Sequence, residues 1–214
     1  MAVTTDRAPA ARGLLGKRRV MLDAAVVLFL REGYARTTID AVAAEAGISK
    51  QTVYNHVGDK ERLFLEAVAD ALEPVATEVS DLVDSTLRRF GKLEEDLAAF
   101  GVGWLSVTTR PRIAALRRLV VAEGEHFPQL RSAWRRSVRD PALTNLTNFL
   151  ACSSSRGAVL VSGDPARAAR QLLALLSGEA EELSTSGADD PARAPLEELV
   201  DDAVSLFLRA HAPV

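Results

Sequence analysis

Two amide side chains, Gln51 and Asn55, stand four residues apart in a short polar stretch of this chain. On a helix, where successive residues turn by about 100°, each amide lies about 160° from Val53, the apolar residue between them. Asparagine and glutamine both donate and accept hydrogen bonds, and adenine presents a matching pair of groups in the major groove of DNA. The stretch therefore predicts a helix whose outward face contacts base edges.

The residues beside the two amides favour the same interaction. Lysine, threonine and tyrosine side chains can reach phosphate oxygens, and the flanking positions are Lys50, Thr52, Tyr54 and His56. No acidic residue occurs in the sequence between Ala46 and Gly58, so we expect little repulsion of phosphates there. A helix corner without any nucleic-acid role is the alternative interpretation, and Tyr54 could equally be half buried in the core.

A tight corner between two helices must hold this polar face outward. Ala43 precedes Gly47 by four residues. A small side chain lets two helix axes approach closely, and glycine tolerates the positive φ that a short turn needs. Ser49 is the expected N-cap of the second helix, and Ile48 and Val53 should hold that helix against the rest of the protein.

Apolar residues recur with helical periodicity along almost the whole chain, and alternating strand patterns are hard to find. The sequence therefore predicts an all-α protein of about nine helices, separated by glycine and proline residues. Thr37 or Thr38 should cap the second helix, and Pro74 should kink the fourth. The predicted helices span residues 17–32, 39–47, 49 to 56 or 57, 59–87, 93–108, 111–124, 128–153, 164–183 and 195–211.

Few residues are arranged for catalysis or metal binding. Cys152 is the only cysteine, so neither an intramolecular disulfide nor a thiolate cluster can form. Glu123 and His126 could place two metal ligands on one helix face, but no third ligand is evident, and a solvent-facing pair is the alternative. Phosphate-binding loops and nucleophile motifs are also missing. We therefore expect no cofactor, no metal site and no enzymatic activity.

Charge is divided unevenly along the chain. Residues 1–65 hold 10 Lys and Arg against 7 Asp and Glu, a net charge of +3, whereas residues 66–214 hold 16 against 22, a net charge of −6. The cationic end is the part expected to face nucleic acid. The apolar run over residues 24–30 is too short to span a bilayer and no secretory signal is evident, so we expect a cytoplasmic protein without a membrane partner.

The stretch LDAAVVLFLREGYARTTIDAVAAEAGISKQTVYNHVGDKERLF, residues 22–64, resembles the N-terminal DNA-binding domain of TetR-family transcriptional repressors. That resemblance implies phosphate contacts from one set of residues and recognition-helix contacts from another: Thr38, Tyr54 and Lys60 for phosphates, and Lys50, Gln51, Thr52, Asn55 and His56 in the groove, beside the cap Ser49. The family usually has an aromatic residue where this chain has Val57, a departure that bears on the packing between the third and fourth helices.

The residues and the resemblance together predict three parts. Residues 1–16 form a flexible basic arm, residues 17–60 a three-helix domain with the helix-turn-helix, and residues 61–214 a larger helical domain that binds an effector and dimerises. The basic residues near the N-terminus could contact DNA phosphates or the minor groove, or their charge could be incidental. They are Arg7, Arg12, Lys17, Arg18 and Arg19.

Helices 164–183 and 195–211 each carry an apolar face that could pair with a second copy of the chain as a four-helix interface. Packing of these faces within one chain is the alternative. The residues on the two faces are Ala168, Leu172, Leu175 and Leu176, and Leu196, Leu199, Val200, Ala203, Val204 and Phe207.

The effector pocket is predicted among the middle helices, where Trp104 stands next to two glycines that thin its helix. Candidate lining residues are Phe100, Trp104, His126, Asn145 and Asn148. Residues 116–134, LRRLVVAEGEHFPQLRSAW, also resemble AefR-like members of the TetR family. That second resemblance names no ligand. The residues and the two resemblances together predict a homodimeric repressor of a palindromic operator, released by a small, largely apolar effector. The alternatives are an activator or ligand-insensitive DNA-binding protein, and a helical adaptor that binds no DNA.

Overall fold

The computed structural model describes residues 8–88, 91–156, 164–185 and 193–211. All regular elements in these ranges are helical, which confirms the predicted all-α class. The α-helices are α1 (Ala8–Arg36), α2 (Ile39–Glu45), α3 (Lys50–Val57), α4 (Lys60–Thr86), α5 (Leu93–Thr108), α6 (Pro111–Glu123), α7 (Pro128–Trp134), α8 (Asp140–Ser155), α9 (Pro165–Thr185) and α10 (Arg193–Ala210). A π-helical turn, Arg135–Arg139, joins α7 to α8, so the nine predicted helices match if 128–155 counts as one.

The first helix begins earlier than the sequence predicted. It starts at Ala8 rather than near Lys17, so residues 8–16 of the predicted flexible arm are helical. Alanine and leucine, which are frequent there, favour helix strongly, and each of the two glycines, Gly13 and Gly16, costs only about 1 kcal/mol in a helix interior. Pro9 lies in the first turn, where proline is tolerated. At the other end the prediction agrees, because Gly33 has a non-helical φ of 79°. Arg7 lies outside the described residues.

The described residues divide into two compact units. The first consists of the chain up to Leu72 together with Leu119–Arg131, and the second of Glu73–Arg118 and the residues from Ser132 onward. This division differs from the predicted boundary after residue 60, because α4 continues in the first unit to Leu72. It also means that α4 and α6 each contribute residues to both units. No helix in the described part of the chain is long and apolar enough to cross a membrane.

Four aromatic rings form the centre of the first unit. Phe64 of α4 has its ring centroid 4.7 Å from that of Phe29, 4.9 Å from that of Tyr34 and 5.4 Å from that of Phe127. Phe127, in the turn between α6 and α7, also lies 4.6 Å from Tyr34 in an edge-on arrangement. Such edge-to-face pairs are favourable beyond the area they bury. The cluster therefore joins α1, α4 and the α6–α7 turn.

Glu66 of α4 holds two arginines at the edge of this unit. Its carboxylate accepts a hydrogen bond of 2.8 Å from Arg18 of α1 and another of 2.8 Å from Arg62. Arg18 was grouped with the basic residues expected near DNA, but here it ties α1 to α4. Burial of Glu66 disfavours its charged form, yet the hydrogen bonds from Arg62 and Arg18 outweigh burial and lower its pKa below the ordinary value of 4.5.

Close helix packing in the second unit depends on two glycines of α5. A Cβ on Gly101 would lie 2.6 Å from Cγ1 of Val200 on α10, and one on Gly103 would lie 2.2 Å from Cδ1 of Leu82 on α4. Both distances are far shorter than van der Waals contact. The glycines that were expected to thin the helix beside a pocket therefore let α4 and α10 approach α5.

The apolar faces of α9 and α10 are mostly covered within the chain. Their buried members are Ala168, Leu172 and Leu176, and Leu196, Val200, Ala203, Val204 and Phe207. Leu175 and Leu199 are half buried, whereas Leu206, which was not among the predicted interface residues, is 50% exposed. The buried residues follow the alternative of packing inside one chain, so a contact with a second copy has to use the residues that remain exposed.

The ion pairs of Glu66 predict a pH-dependent stability. We expect Glu66→Gln to lower the free energy of unfolding at neutral pH by about 1 kcal/mol, because two arginines lose a charged partner. A carboxylate whose pKa is lowered by folding stabilises the protein above its unfolded pKa, and that stabilisation disappears as the pH falls through the folded pKa. The difference between wild type and variant in urea unfolding should therefore shrink below pH 4.5.

The matched control for this experiment is Glu73→Gln, which changes an exposed glutamate of the same helix. A Glu66→Gln effect that is constant with pH would show that the stabilisation comes from packing of the side chain rather than from its charge.

Candidate nucleic-acid interface and effector cavity

The corner between α2 and α3 has the geometry that its sequence predicted. Gly47 has a φ of 64°, and the N–H of Ile48 donates to the carbonyl oxygen of Ala43 at 3.0 Å while the N–H of Gly47 donates to that of Ala44 at 3.2 Å. This is the Schellman pattern that ends helices with a glycine of positive φ. Ala43 is buried, so its small side chain allows the close approach of neighbouring groups.

Caps and buried valines hold α3 in place. The hydroxyl of Ser49 accepts a hydrogen bond of 3.1 Å from the N–H of Thr52 at the start of the helix. At its end, Gly58 has a φ of 81°, and its N–H donates to the carbonyl oxygen of Tyr54 at 2.9 Å. Val53 and Val57 are 0% and 1% exposed. Val57, the departure noted in the sequence, is thus accommodated in the core.

The outward face of α3 carries the two amides. Gln51 and Asn55 are both exposed, and Nε2 of Gln51 donates to Oδ1 of Asn55 at 2.9 Å. This bond leaves Oε1 of Gln51 and Nδ2 of Asn55 as an acceptor and a donor that it does not use. Tyr54 is 41% exposed, so it belongs to the surface rather than to the core. His56 and Thr52 are half buried at the sides of the helix.

An acidic residue lies closer to this face than the sequence suggested. Nζ of Lys50 is 2.8 Å from Oδ1 and 2.9 Å from Oδ2 of Asp40, in the first turn of α2. The hydrogen bond to Asp40 raises the pKa of Lys50 above its ordinary value. The stretch without acidic residues, 46–58, covers only α3 and the turns beside it. The corner between α2 and α3 brings the carboxylate of Asp40, in the preceding helix, next to α3. In the free protein Lys50 therefore has a carboxylate partner.

Two other side chains that were predicted to contact phosphates, those of Thr38 and Lys60, interact with nearby groups of the protein. The hydroxyl of Thr38 is the N-cap of α2 and accepts from the N–H of Ala41 at 3.1 Å. Nζ of Lys60 donates to the carbonyl oxygen of Ala35 at 3.2 Å and lies 4.4 Å from the ring centroid of Tyr34, a cation–π distance. Thr38 is exposed and Lys60 is half buried. Both side chains are thus held near the junction of α1 with α2.

The second unit contains a cavity of about 280 Å³. Its apolar wall includes Trp104, Trp134 and Leu173, and its polar wall includes three arginines: Arg117, Arg139 and Arg170. Trp104 itself is almost completely buried, with only 5% of its surface exposed.

Of the predicted pocket residues, Trp104 alone is on the wall of this cavity. Phe100 is buried behind it, with ring centroids 6.2 Å apart. Asn145 donates from Nδ2 to the carbonyl oxygen of Pro141 at 2.9 Å, and Asn148 is exposed on α8. His126 is exposed and belongs to the first unit. Within the described ranges, no three His, Cys, Asp or Glu side chains are grouped as a metal site would require.

Family models match both parts of the chain. Residues 21–67 match the bacterial regulatory proteins of the tetR family, and residues 95–213 match the C-terminal domain of AefR-like transcriptional repressors. The chain belongs to the TetR family of transcriptional regulators. The helix-turn-helix of its first unit is accordingly the DNA-binding part of a regulator.

Individual TetR-family proteins are similar over different lengths. The DNA-binding transcriptional repressor TetR of Mycobacteroides abscessus is 30% identical over 197 residues, 90% of this chain and 94% of that protein. The regulator YerO of Bacillus subtilis is 28% identical over 111 residues, so the match spans 52% of this chain and 31% of YerO. A TetR-family regulator structure from Mesorhizobium loti has 30% identity and a TM-score of 0.78, covering 92% of this chain and 98% of the other.

Sequence patterns did not reveal several residues at these two sites. Asp40 and Lys50 are ten residues apart, beyond the reach of helical spacing rules, although an aspartate two residues after a cap is ordinary at a helix start. The three cavity arginines come from separate parts of the chain. Each looks like a solvated surface charge in its own segment, so only the folded structure brings them together.

The pair formed by Asp40 and Lys50 predicts a change in DNA affinity. We expect Asp40→Asn to strengthen DNA binding and to steepen its salt dependence by about one unit of slope, because Lys50 loses its internal partner and a negative charge leaves the surface. Fluorescence anisotropy with a DNA duplex over a salt series measures both quantities. Glu94→Gln, an exposed acid of the second unit, is the control. Weaker binding by Asp40→Asn would instead mean that Asp40 positions Lys50 for its contact.

Proposed function

We propose that this TetR-family regulator is a ligand-responsive repressor that binds a palindromic operator as a homodimer. The observation that carries the proposal is the exposed amide pair of Gln51 and Asn55 on α3. Buried Val53 and Val57 hold that pair outward. In the complex, α3 of each subunit lies in the major groove of one half-site. A chain with this role acts in the cytoplasm, where the operator is.

Base contacts and phosphate contacts are divided among the residues of the corner. Gln51 and Asn55 contact base edges, because an amide can form two hydrogen bonds with adenine. The remaining residues surround them and contact phosphates or the groove edges: Thr38, Ser49, Lys50, Thr52, Tyr54, His56 and Lys60. Lys60 approaches DNA from a fixed position, since its ammonium already rests on Tyr34.

A second copy of the chain would supply the other half-site. An apolar groove along α9 and α10 is lined by Ala174, Leu175, Leu206 and Ala210 among others, and Leu206 is 50% exposed. Each of these four residues is exposed or half buried in the described part of the chain. We place the dimer contact there, because an isologous contact on one helix pair gives the two-fold symmetry of a palindrome.

Helices that contribute residues to both units could transmit the effect of ligand binding to the DNA-binding unit. Both α4 and α6 contribute residues to the two units, and the turn after α6 places Phe127 against Tyr34 and Phe64. A ligand that binds one position of these helices better than the other shifts the population toward it. Displacement of α4 or α6 then changes the spacing of the two α3 helices, and the operator is released.

Selection of genomic fragments by the purified protein tests the proposal directly. The expected result is enrichment of a palindromic sequence, and its absence would contradict the proposal.

The operator recovered in this way allows a sharper prediction. Gln51→Ala should weaken binding to the operator by about 1 to 3 kcal/mol and relax the preference at one base pair of each half-site, because a base contact is lost. Competition binding with single-base variants of the operator measures the preference. Ser205→Ala, in the second unit, is a control without a DNA role. A uniform loss on all sequences would mean that Gln51 contacts only phosphate.

The dimer contact makes a separate prediction. Leu206→Glu should convert the dimer to a monomer at micromolar concentration, because a charge would be buried in an apolar contact. Sedimentation velocity measures the molecular mass. Val121→Glu is a matched control, since Val121 is also an apolar helix residue and is 69% exposed, but it lies in the first unit. If Leu206→Glu leaves a dimer intact, the contact is elsewhere.

A further inference from the structure

The cavity of the second unit combines apolar walls with three arginine side chains. Arg117 comes from α6, Arg139 from the π-helical turn and Arg170 from α9, and all three line the same space. We propose that this cavity binds an aromatic carboxylate, a small acid with one ring and a short side chain. The inference rests on the proposed function for its regulatory meaning, but ligand binding can be measured without DNA.

The arginines argue for an anion. Arg139 and Arg170 place two guanidinium groups beside the same cavity, and a bound carboxylate is attracted by both. Arg170 has Asp164 at 3.3 Å, but their side chains are 47% and 58% exposed, and pairs this open to water contribute little. Oδ1 of Asp164 is also occupied as the acceptor for the N–H of Ala166 at 2.9 Å. The guanidinium of Arg170 therefore keeps the capacity to bind a ligand.

The shape of a guanidinium group indicates which class of anion the cavity binds. Its parallel N–H groups match the two oxygens of a carboxylate, which gives two charge-assisted hydrogen bonds in one plane. Arg139 ends the π-helical turn that follows directly after Trp134. Such turns occur frequently at functional sites. One charged and one aromatic wall residue are thus positioned by the same local irregularity of the helix.

The tryptophans argue for a ring. Trp104 is backed by Phe100, with the two ring planes inclined by only 21°, so its indole is fixed in orientation. Its Nε1 is buried and has no hydrogen-bond partner within the described part of the chain, which leaves it as a donor when the cavity is filled. Flat indole surfaces favour stacked or edge-on contact with an aromatic ring.

The volume limits the size of the ligand. About 280 Å³ lies near the lower end of the range of small-molecule sites, so one ring with a short acid chain suits the space better than a long acyl chain. The sequence led us to expect a largely apolar effector. The arginines add a charged end to that description.

Tryptophan fluorescence reports this cavity specifically, because the chain has two tryptophans and both line it. Three probes separate the contributions of charge and ring: hydrocinnamate, an aromatic carboxylate; hydrocinnamyl alcohol, which has the same ring without the charge; and octanoate, a carboxylate without a ring. With the wild-type protein we expect a saturable change in emission with hydrocinnamate, and binding at least tenfold weaker for each of the other two.

Matched arginine pairs test the polar wall. Arg139→Gln and Arg170→Gln should each weaken hydrocinnamate binding about tenfold, since each removes a charged hydrogen-bond donor. The controls Arg136→Gln and Arg167→Gln change exposed arginines of the same elements that are outside the cavity wall, and they should leave the affinity within about twofold. Arg139→Gln and Arg170→Gln should change the affinity for the alcohol little.

Several outcomes would overturn the proposal: no saturable response to hydrocinnamate, equal affinity for the alcohol, tighter binding of octanoate, or equal effects of the wall and control variants. A gel-shift assay with the selected operator separates this proposal from the function proposed above. If hydrocinnamate binds as expected but leaves the DNA complex intact, the ligand class is supported and release by this ligand fails. If no operator is found, the fluorescence result still decides the ligand class.

Discussion

The surface that we propose contacts DNA depends on how the eight-residue helix α3 is held. A helix as short as α3 is not stable alone in water, so its orientation comes from its surroundings. Buried Val53 and Val57 fix the inner face, and the positive φ of Gly47 and Gly58 lets the chain turn sharply at both ends. Because both ends and the buried face of α3 are fixed, the amides of Gln51 and Asn55 point outward.

In the first unit, aromatic packing and an ion pair together stabilise the positions of the helices behind α3. The rings of Phe29, Tyr34, Phe64 and Phe127 draw together α1, α4 and the α6–α7 turn. Glu66 of α4 adds an ion pair with Arg18 of α1. Because Phe127 follows α6 directly, the turn between α6 and α7 is part of the support of the DNA-binding unit rather than a free connection.

Local patterns predicted the parts of the structure whose causes are local. The alanine and glycine of the corner, the cap at Ser49 and the outward amides depend on residues within one or two turns, so helical spacing was enough to find them. The start of α1 was predicted too late, because Pro9, Gly13 and Gly16 are typical of a flexible segment although good helix formers surround them. Pairs that are far apart in sequence, such as Asp40 with Lys50 or Arg18 with Glu66, have no local signature. Their partners are chosen by the fold.

Charge is the feature on which the two sites differ most. At the surface that we propose contacts DNA, Lys50 already has a carboxylate partner in Asp40, so in the proposed complex DNA phosphates replace an existing interaction, and contacts of amides with base edges gain relative weight in the choice of sequence. In the cavity, Arg139 and Arg170 line the same space, so the carboxylate that we propose would interact with both. A small acid therefore has more to gain in the cavity than beside α3. We therefore expect the protein to discriminate between a soluble anion and DNA by the number of cationic side chains that lie close together at each site.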